Sequence, residues 1–401
     1  MKRDPIVISG GGPVGLVAAL ALAKRGLDVC VLEIESQIPT DLRAGTFHPP
    51  TVEMLAELGV GAELVAAGIP VPEWQIRDRR AGVIARFDLA AIADLTPYPF
   101  RLHCEQHKLS SILYRILGAM PNVTLLFGHR CTAVEQDDDG VTVRFQAPDG
   151  DGAIRASYVI GADGAHSAVR KSLGVEFEGF TWPERFLVFA TDYDLREQGF
   201  TGNAYIADPD EWVAIFIQPH DGPPGIWRMA FPIPPELDDA DVLADDYVQS
   251  RIKGFLSSDQ DYPILYRSVY RVHQRVASRF RVGRAMLVGD AAHINNPLGG
   301  MGLNSGIHDA INLTGKLCDV MLNGAPDSLL DLYDRQRRQT NIEYVQAITI
   351  RNKRLLEEKD PAVRTERLDE MRTIAADPVS ARQYLMNSSM IASIRRAAEI
   401  V

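Results

Sequence analysis

The chain has 401 residues but only four cysteines, Cys30, Cys104, Cys131 and Cys318, and no C-x-x-C pair. That scatter excludes a disulfide framework and predicts free thiols in the cytoplasm. A basic surplus is missing too: the net charge is −11, with Lys and Arg dispersed. Such a surface repels phosphates, so no nucleic-acid partner is expected. No segment reaches the roughly 20 apolar residues needed to cross a bilayer, so no membrane partner is expected either. Lys2 and Arg3 precede an apolar stretch running to Ala23, superficially like a secretory leader, but Gly10-Gly11-Gly12-Pro13 interrupts it. Repeats and low-complexity segments are absent. The remaining composition, 46% hydrophobic and 24% charged, is that of a globular protein with a large core or two domains.

The pattern opens as a βαβ unit. Ile6 to Ser9 reads as a buried strand, Pro13 to Arg25 as a helix and Val29 to Leu32 as a second strand. Between the first two lies Gly10-Gly11-Gly12-Pro13-Val14-Gly15, a G-x-G-x-x-G. Bare glycines let a pyrophosphate approach the backbone, and the helix N-terminus offers free N–H groups to the anion. Glu33 closes the second strand, where an acid accepts the ribose hydroxyls of an adenosine. These features alone do not separate FAD from NAD.

Two further motifs follow strand-like segments. Asp163-Gly164-Ala165-His166-Ser167-Ala168-Val169-Arg170 comes after Tyr158 to Ile160. Gly289-Asp290-Ala291-Ala292-His293 comes after Ala285 to Val288, and Pro297-Leu298-Gly299-Gly300-Met301-Gly302-Leu303-Asn304 soon after it. Asp290 ends a strand where a carboxylate can take a sugar hydroxyl. The glycines of the last run bare the backbone before a helix, whose dipole suits a reduced flavin anion. Phe186 to Pro235 alternates aromatic and aliphatic residues with Pro and Gly, which predicts an antiparallel sheet. From Asn304 onward the pattern is mostly helical.

In this order and at these separations the three motifs resemble the group A flavoprotein hydroxylases typified by para-hydroxybenzoate hydroxylase, over about residues 4 to 345. The resemblance implies an α/β fold: a Rossmann-like FAD-binding domain, a mixed-sheet substrate domain and a helical C-terminal segment. The FAD domain is expected to be discontinuous, over 1–75, 99–180 and 266–345. The substrate domain is expected over 76–98 and 181–265, and the helical segment over 346–401. By the same resemblance Gly10, Gly12, Pro13, Val14, Gly15 and Glu33 hold the ADP half of FAD. Asp163 and Gly164 lie near the pyrophosphate and serve nicotinamide use. Asp290 serves the ribityl or pyrophosphate region. Pro297, Gly300, Met301, Gly302, Leu303 and Asn304 pass beside the isoalloxazine ring. Arg43, in Leu42-Arg43-Ala44-Gly45, and Gln106 match FAD contacts. His48 follows as a candidate catalytic residue near the flavin edge.

The implied reaction is hydroxylation of an aromatic ring by a single-component monooxygenase. It consumes NADH or NADPH and O2 and proceeds through a flavin C4a-hydroperoxide. Tyr205, in Tyr205-Ile206-Ala207-Asp208-Pro209, resembles the family's tyrosine that holds the phenolic oxygen as phenolate. The family's carboxylate-clamping Arg falls, by ungapped carry-over, on Gln218, whose amide cannot pair a carboxylate bidentately. A phenol, a nitrophenol, a hydroxypyridine or an acid anchored elsewhere all fit. Phe216 and Met229 are expected beside the substrate with Tyr205 and Gln218. His103 and His107 stand four apart, but His-Cys-Glu-Gln-His is not a metal motif, and no metal is required. The C-terminal segment is expected to cover its own core, the active-site mouth or a homodimer interface. Three alternatives remain. A halogenase needs W-x-W-x-I-P, and Trp227 to Pro234 lacks the second Trp. The others are a flavin-dependent reductase and a non-catalytic redox-sensing flavoprotein.

Overall fold

A computed structural model describes residues 4–40 and 45–401; Arg43 lies outside the described residues. The strand Ile6–Ser9 is buried at every position, as a strand must be when both faces of its sheet are covered. It pairs in parallel with Val29–Glu33 on one side and Tyr158–Gly161 on the other. Val123–Phe127 and Ala285–Leu287 extend this sheet in parallel, and Arg281–Val282 closes one edge antiparallel. Each of the three glycine-and-aspartate motifs therefore leaves the carboxyl end of a parallel strand. Those strands are neighbours, so the motifs meet at one edge of the sheet. The helix Pro13–Ala23 is buried on nearly all sides, packed on the helices Met301–Asn323 and Gln106–Gly118. Its unbroken apolarity is a core property.

An eight-stranded mixed sheet forms the second layer system. Its strands run, in spatial order, His293–Ile294, Tyr266–Ala277, Phe177–Thr191, Ile226–Ile233, Val213–Gln218, Asn203–Ala207, Glu73–Asp78 and Gly82–Asp88. All pairings are antiparallel except Asn203–Ala207 with Glu73–Asp78. The sheet thus draws in residues 73–75, 177–180, 266–277 and 293–294, beyond the limits that the resemblance implies. Side chains alternate across it: Trp74, Tyr205 and Ala214 share one core, while Ile206, Ile215, Trp227, Met229 and Phe231 share the opposite one. Thr46–Phe47, Arg101–His103 and Ile69–Val71 form a small antiparallel sheet with Arg101–His103 at its centre. The C-terminal helices Pro361–Ala376, Pro378–Ser388 and Ile391–Glu399 bury Leu368, Met371, Tyr384, Leu385 and Ile391 in the same core as Tyr205. Their apolar faces are consumed within the chain. Among the described residues no helix is long and apolar enough to cross a membrane.

Candidate active site

Where the three motifs meet, a cavity of about 880 Å³ opens, lined by Gly10 to Val14, Glu33, Gln106, Asp163, Gly164, Asp290 and Leu303. Gly10 has φ +107°, and a Cβ there would stand 2.3 Å from the Ala162 carbonyl oxygen. No other residue fits that turn, which leaves bare backbone facing the cavity. Glu33 is buried, and its carboxylate accepts N–H bonds from Gly11 at 2.6 Å and Glu35 at 2.9 Å. A carboxylate offers about four acceptor positions, so capacity remains for a ligand hydroxyl. Tyr114 donates to the Gly11 carbonyl at 2.9 Å and braces the same turn.

Asp163 does more than face the cavity. Its Oδ2 accepts from the backbone of Ala168 at 2.7 Å and Val169 at 3.2 Å, fixing the turn of the second motif. Arg170 then donates to the Ala165 and Ala291 carbonyls and ties the second motif to the third. The third is anchored through Asp309, which is fully buried. Its carboxylate meets His293 Nε2 at 2.7 Å, Arg337 Nε at 2.7 Å and the Gly289 N–H at 3.1 Å. Asp290 itself is exposed on the cavity.

The run Pro297 to Asn304 separates this cavity from a second, far smaller chamber of about 20 Å³, which an aromatic ring enters only as the surrounding side chains give way. Gly299 (φ +113°) and Gly300 (φ +64°) make the turn that starts the helix Met301–Asn323. Asn304 is fully buried and its amide is wholly engaged. It accepts from the His48 N–H at 2.8 Å and donates to the Thr46 carbonyl at 2.8 Å and the Gly300 carbonyl at 2.6 Å. The residue thus acts on the backbone around it. Leu303 faces the large cavity and Met301 the small chamber, while Pro297 and Gly302 are half-buried in the turn.

The small chamber is aromatic. Trp74 stacks on Phe87 with ring centroids 4.7 Å apart and meets Tyr205 edge-on at 5.9 Å. Tyr384, from the C-terminal helices, stacks on Phe87 at 4.5 Å. Phe216 meets Tyr205 edge-on at 5.9 Å. The Tyr205 hydroxyl accepts the Gly299 N–H at 3.1 Å, so it stands directly at the glycine turn. Arg101 lines the chamber and lies 4.5 Å above the Trp74 ring.

Two histidines stand beside Arg101. His48 Nε2 faces the Gly299 carbonyl at 2.8 Å, so that nitrogen carries the hydrogen and Nδ1 keeps a lone pair. Likewise His103 Nδ1 faces the Ile217 carbonyl at 2.8 Å, which leaves the lone pair on Nε2. Burial, and then the Arg101 charge, hold His48 down at about 3. Burial is the largest cause for His103 as well; the Ile217 bond opposes it, Arg101 adds to it, and the result is about 4. Both rings are neutral acceptors at neutral pH.

Tyr205, Phe216 and His48 therefore come together, and Gln218 lies close by against Gly45. Met229 does not join them. It pairs with Ile215 across the sheet, so strand alternation points it to the opposite core. Trp74, Arg101, His103 and Tyr384 were not assigned to the chamber from the sequence. His103 was weighed only as a metal ligand, through its spacing from His107. His107 lines the large cavity instead.

A family model described as "FAD binding domain" matches residues 3–347. The chain is 34% identical to para-nitrophenol 4-monooxygenase of Pseudomonas sp. over 96% of this chain and 95% of that protein. It is 35% identical to 6-hydroxy-3-succinoylpyridine 3-monooxygenase of Pseudomonas putida over 90% of each. The crystal structure of p-nitrophenol 4-monooxygenase from Pseudomonas putida superposes with a TM-score of 0.92 at 33% identity, covering 98% of both chains. A glycine-lined dinucleotide cavity abutting an aromatic chamber matches that kinship, and the chain belongs to the single-component FAD-dependent aromatic hydroxylases, the group A flavoprotein monooxygenases.

Proposed function

We propose that this enzyme hydroxylates a single-ring phenol or hydroxypyridine, with NADH or NADPH and dioxygen as co-substrates. The observation that carries the reading is the Tyr205 hydroxyl, held 3.1 Å from the Gly299 N–H inside an aromatic chamber. Its oxygen already accepts a hydrogen bond, so its proton is free to point at a ring oxygen. A donor there favours the phenolate, whose charge enriches the ring carbon that must attack. Aromatic walls packed against a bound ring would keep water from that carbon. The two relatives named for para-nitrophenol and 6-hydroxy-3-succinoylpyridine support a ring of this kind.

In this reading Gly10, Gly12, Pro13, Val14, Gly15 and Glu33 would hold the ADP half of FAD. Gln106, Asp163, Gly164 and Asp290 would serve its pyrophosphate and ribityl region. Pro297, Gly300, Met301, Gly302 and Leu303 would border its ring system, with Asn304 and His48 fixing that border. When bound, FAD supplies the electron relay between nicotinamide and dioxygen. The four cysteines are free and buried, and burial raises their thiols, which supports work in the reducing cytoplasm.

A panel of phenols, nitrophenols and hydroxypyridines tests this. Nicotinamide oxidation should rise with a matching ring, and the product should gain one oxygen. Nicotinamide oxidation that no ring accelerates would defeat the reading.

A further inference from the structure

We propose that Arg101 is an anion anchor, so that the chamber selects an aromatic ring carrying an ionised oxygen group. The inference deepens the reading above and rests on it for the identity of the chamber. Arg101 is only 2% exposed, yet among the described residues no carboxylate pairs with it. At similar depth Arg337 pairs with Asp309, and Lys353 with Glu184 and Glu357, while Arg170 spends its donors on the Ala165 and Ala291 carbonyls; the Nε of Arg101 finds no such acceptor. The partners of Arg101 are neutral. Asn203 Oδ1 accepts from one terminal nitrogen at 2.5 Å, the Trp74 ring lies beneath the guanidinium, the Tyr205 side chain is a further hydrogen-bond partner, and Tyr384 is an electrostatic neighbour.

A buried charge without a counter-ion is strongly unfavourable. Two observations say what relieves it. The Nε of Arg101 and the Nε1 of Trp74 are both buried donors with no acceptor. Both residues line the chamber with Tyr205. The nearby histidines add no charge; Arg101 lines the chamber and gives it a positive sign, to which Arg351, 5.4 Å from the centroid of the Tyr384 ring, adds from behind that ring. A planar oxyanion on a ring, phenolate or carboxylate, supplies both the missing charge and the missing acceptors. The guanidinium that position 218 lacks is thus provided from a different strand.

The test uses FAD-loaded enzyme without nicotinamide, so charge preference is read whether or not a ligand is turned over. The probes are 4-nitrophenol against nitrobenzene, and benzoate against benzamide. At a pH below the pKa of free 4-nitrophenol, the bound ligand should show the phenolate absorbance band. At least one anion should bind about 30-fold tighter than its neutral counterpart. Which anion does so distinguishes a phenolate site from a carboxylate site. Arg101→Met should abolish that preference while FAD content and neutral-ring affinity persist, and Arg101→Lys should keep part of it. Neutral rings binding as tightly as anions, no saturable binding of either anion, or a preference that survives Arg101→Met would each overturn the proposal.

Discussion

The Tyr205 hydroxyl and the Gly299 backbone nitrogen lie 3.1 Å apart, although 94 residues separate them in the chain. That bond joins the substrate sheet to the glycine turn beside the dinucleotide cavity. It also commits the Tyr205 oxygen as an acceptor and leaves its proton for the ligand. Tyr205→Phe should therefore slow hydroxylation by about 100-fold. Flavin reduction, followed by anaerobic stopped-flow, should change much less. Equal effects on both steps would remove Tyr205 from its role.

Asn304 holds three backbone groups from two segments, those of Thr46, His48 and Gly300. Asn304→Ala removes all three bonds, those to Thr46 and His48 in the buried interior. A loss of about 2–4 kcal/mol in unfolding free energy is expected, together with weaker FAD retention. Denaturant titration and flavin content after gel filtration check both.

Glu33 orients the first glycine turn through Gly11 and keeps spare acceptor capacity. Glu33→Ala should weaken FAD binding by about 10- to 100-fold, measured by reconstitution of the apoprotein. An unchanged dissociation constant would show that the carboxylate serves the turn alone.

The three motifs were legible because backbone-mediated binding leaves a local trace. A bare turn, a strand before it and a helix after it must lie within a few residues, as at Gly10 to Gly15. The chamber left no such trace. Trp74, Arg101, Tyr205, Gly299 and Tyr384 come from five separate segments, and only folding brings them together. Tyr205 is reached from the sequence only through a family likeness. Met229 was misplaced because strand alternation, which decides its face, depends on a register invisible in the sequence. The strand Tyr266–Ala277 was missed for a related reason: only its second half is strongly buried, so its apolar pattern is weak.

Met229 consequently makes a control. Met229→Leu conserves volume in the core behind the sheet and should shift stability by less than about 1.5 kcal/mol. Substrate KM should stay the same. A changed KM would place the side chain on the chamber face after all.

Buried histidines make stability depend on pH. His48 is held at about 3, His103 at about 4 and His308 at about 3, each chiefly by burial. An unfolded histidine titrates near 6.5, so stability is full above about that pH and falls as pH drops toward the folded values. Each should withdraw about 2 kcal/mol by about pH 5. His308→Gln should flatten the slope by about one part in three, because one of three refused protons is gone. Unfolding midpoints measured across this range would expose a flat profile, which contradicts the burial argument.

The most direct measurement supplies the FAD-loaded enzyme with 4-nitrophenol, a reduced nicotinamide and isotopically labelled dioxygen, and weighs the product. The account predicts a ring product carrying one labelled oxygen atom, formed in step with nicotinamide oxidation. Unlabelled product, or nicotinamide consumed to peroxide alone with every phenol and hydroxypyridine offered, would contradict it.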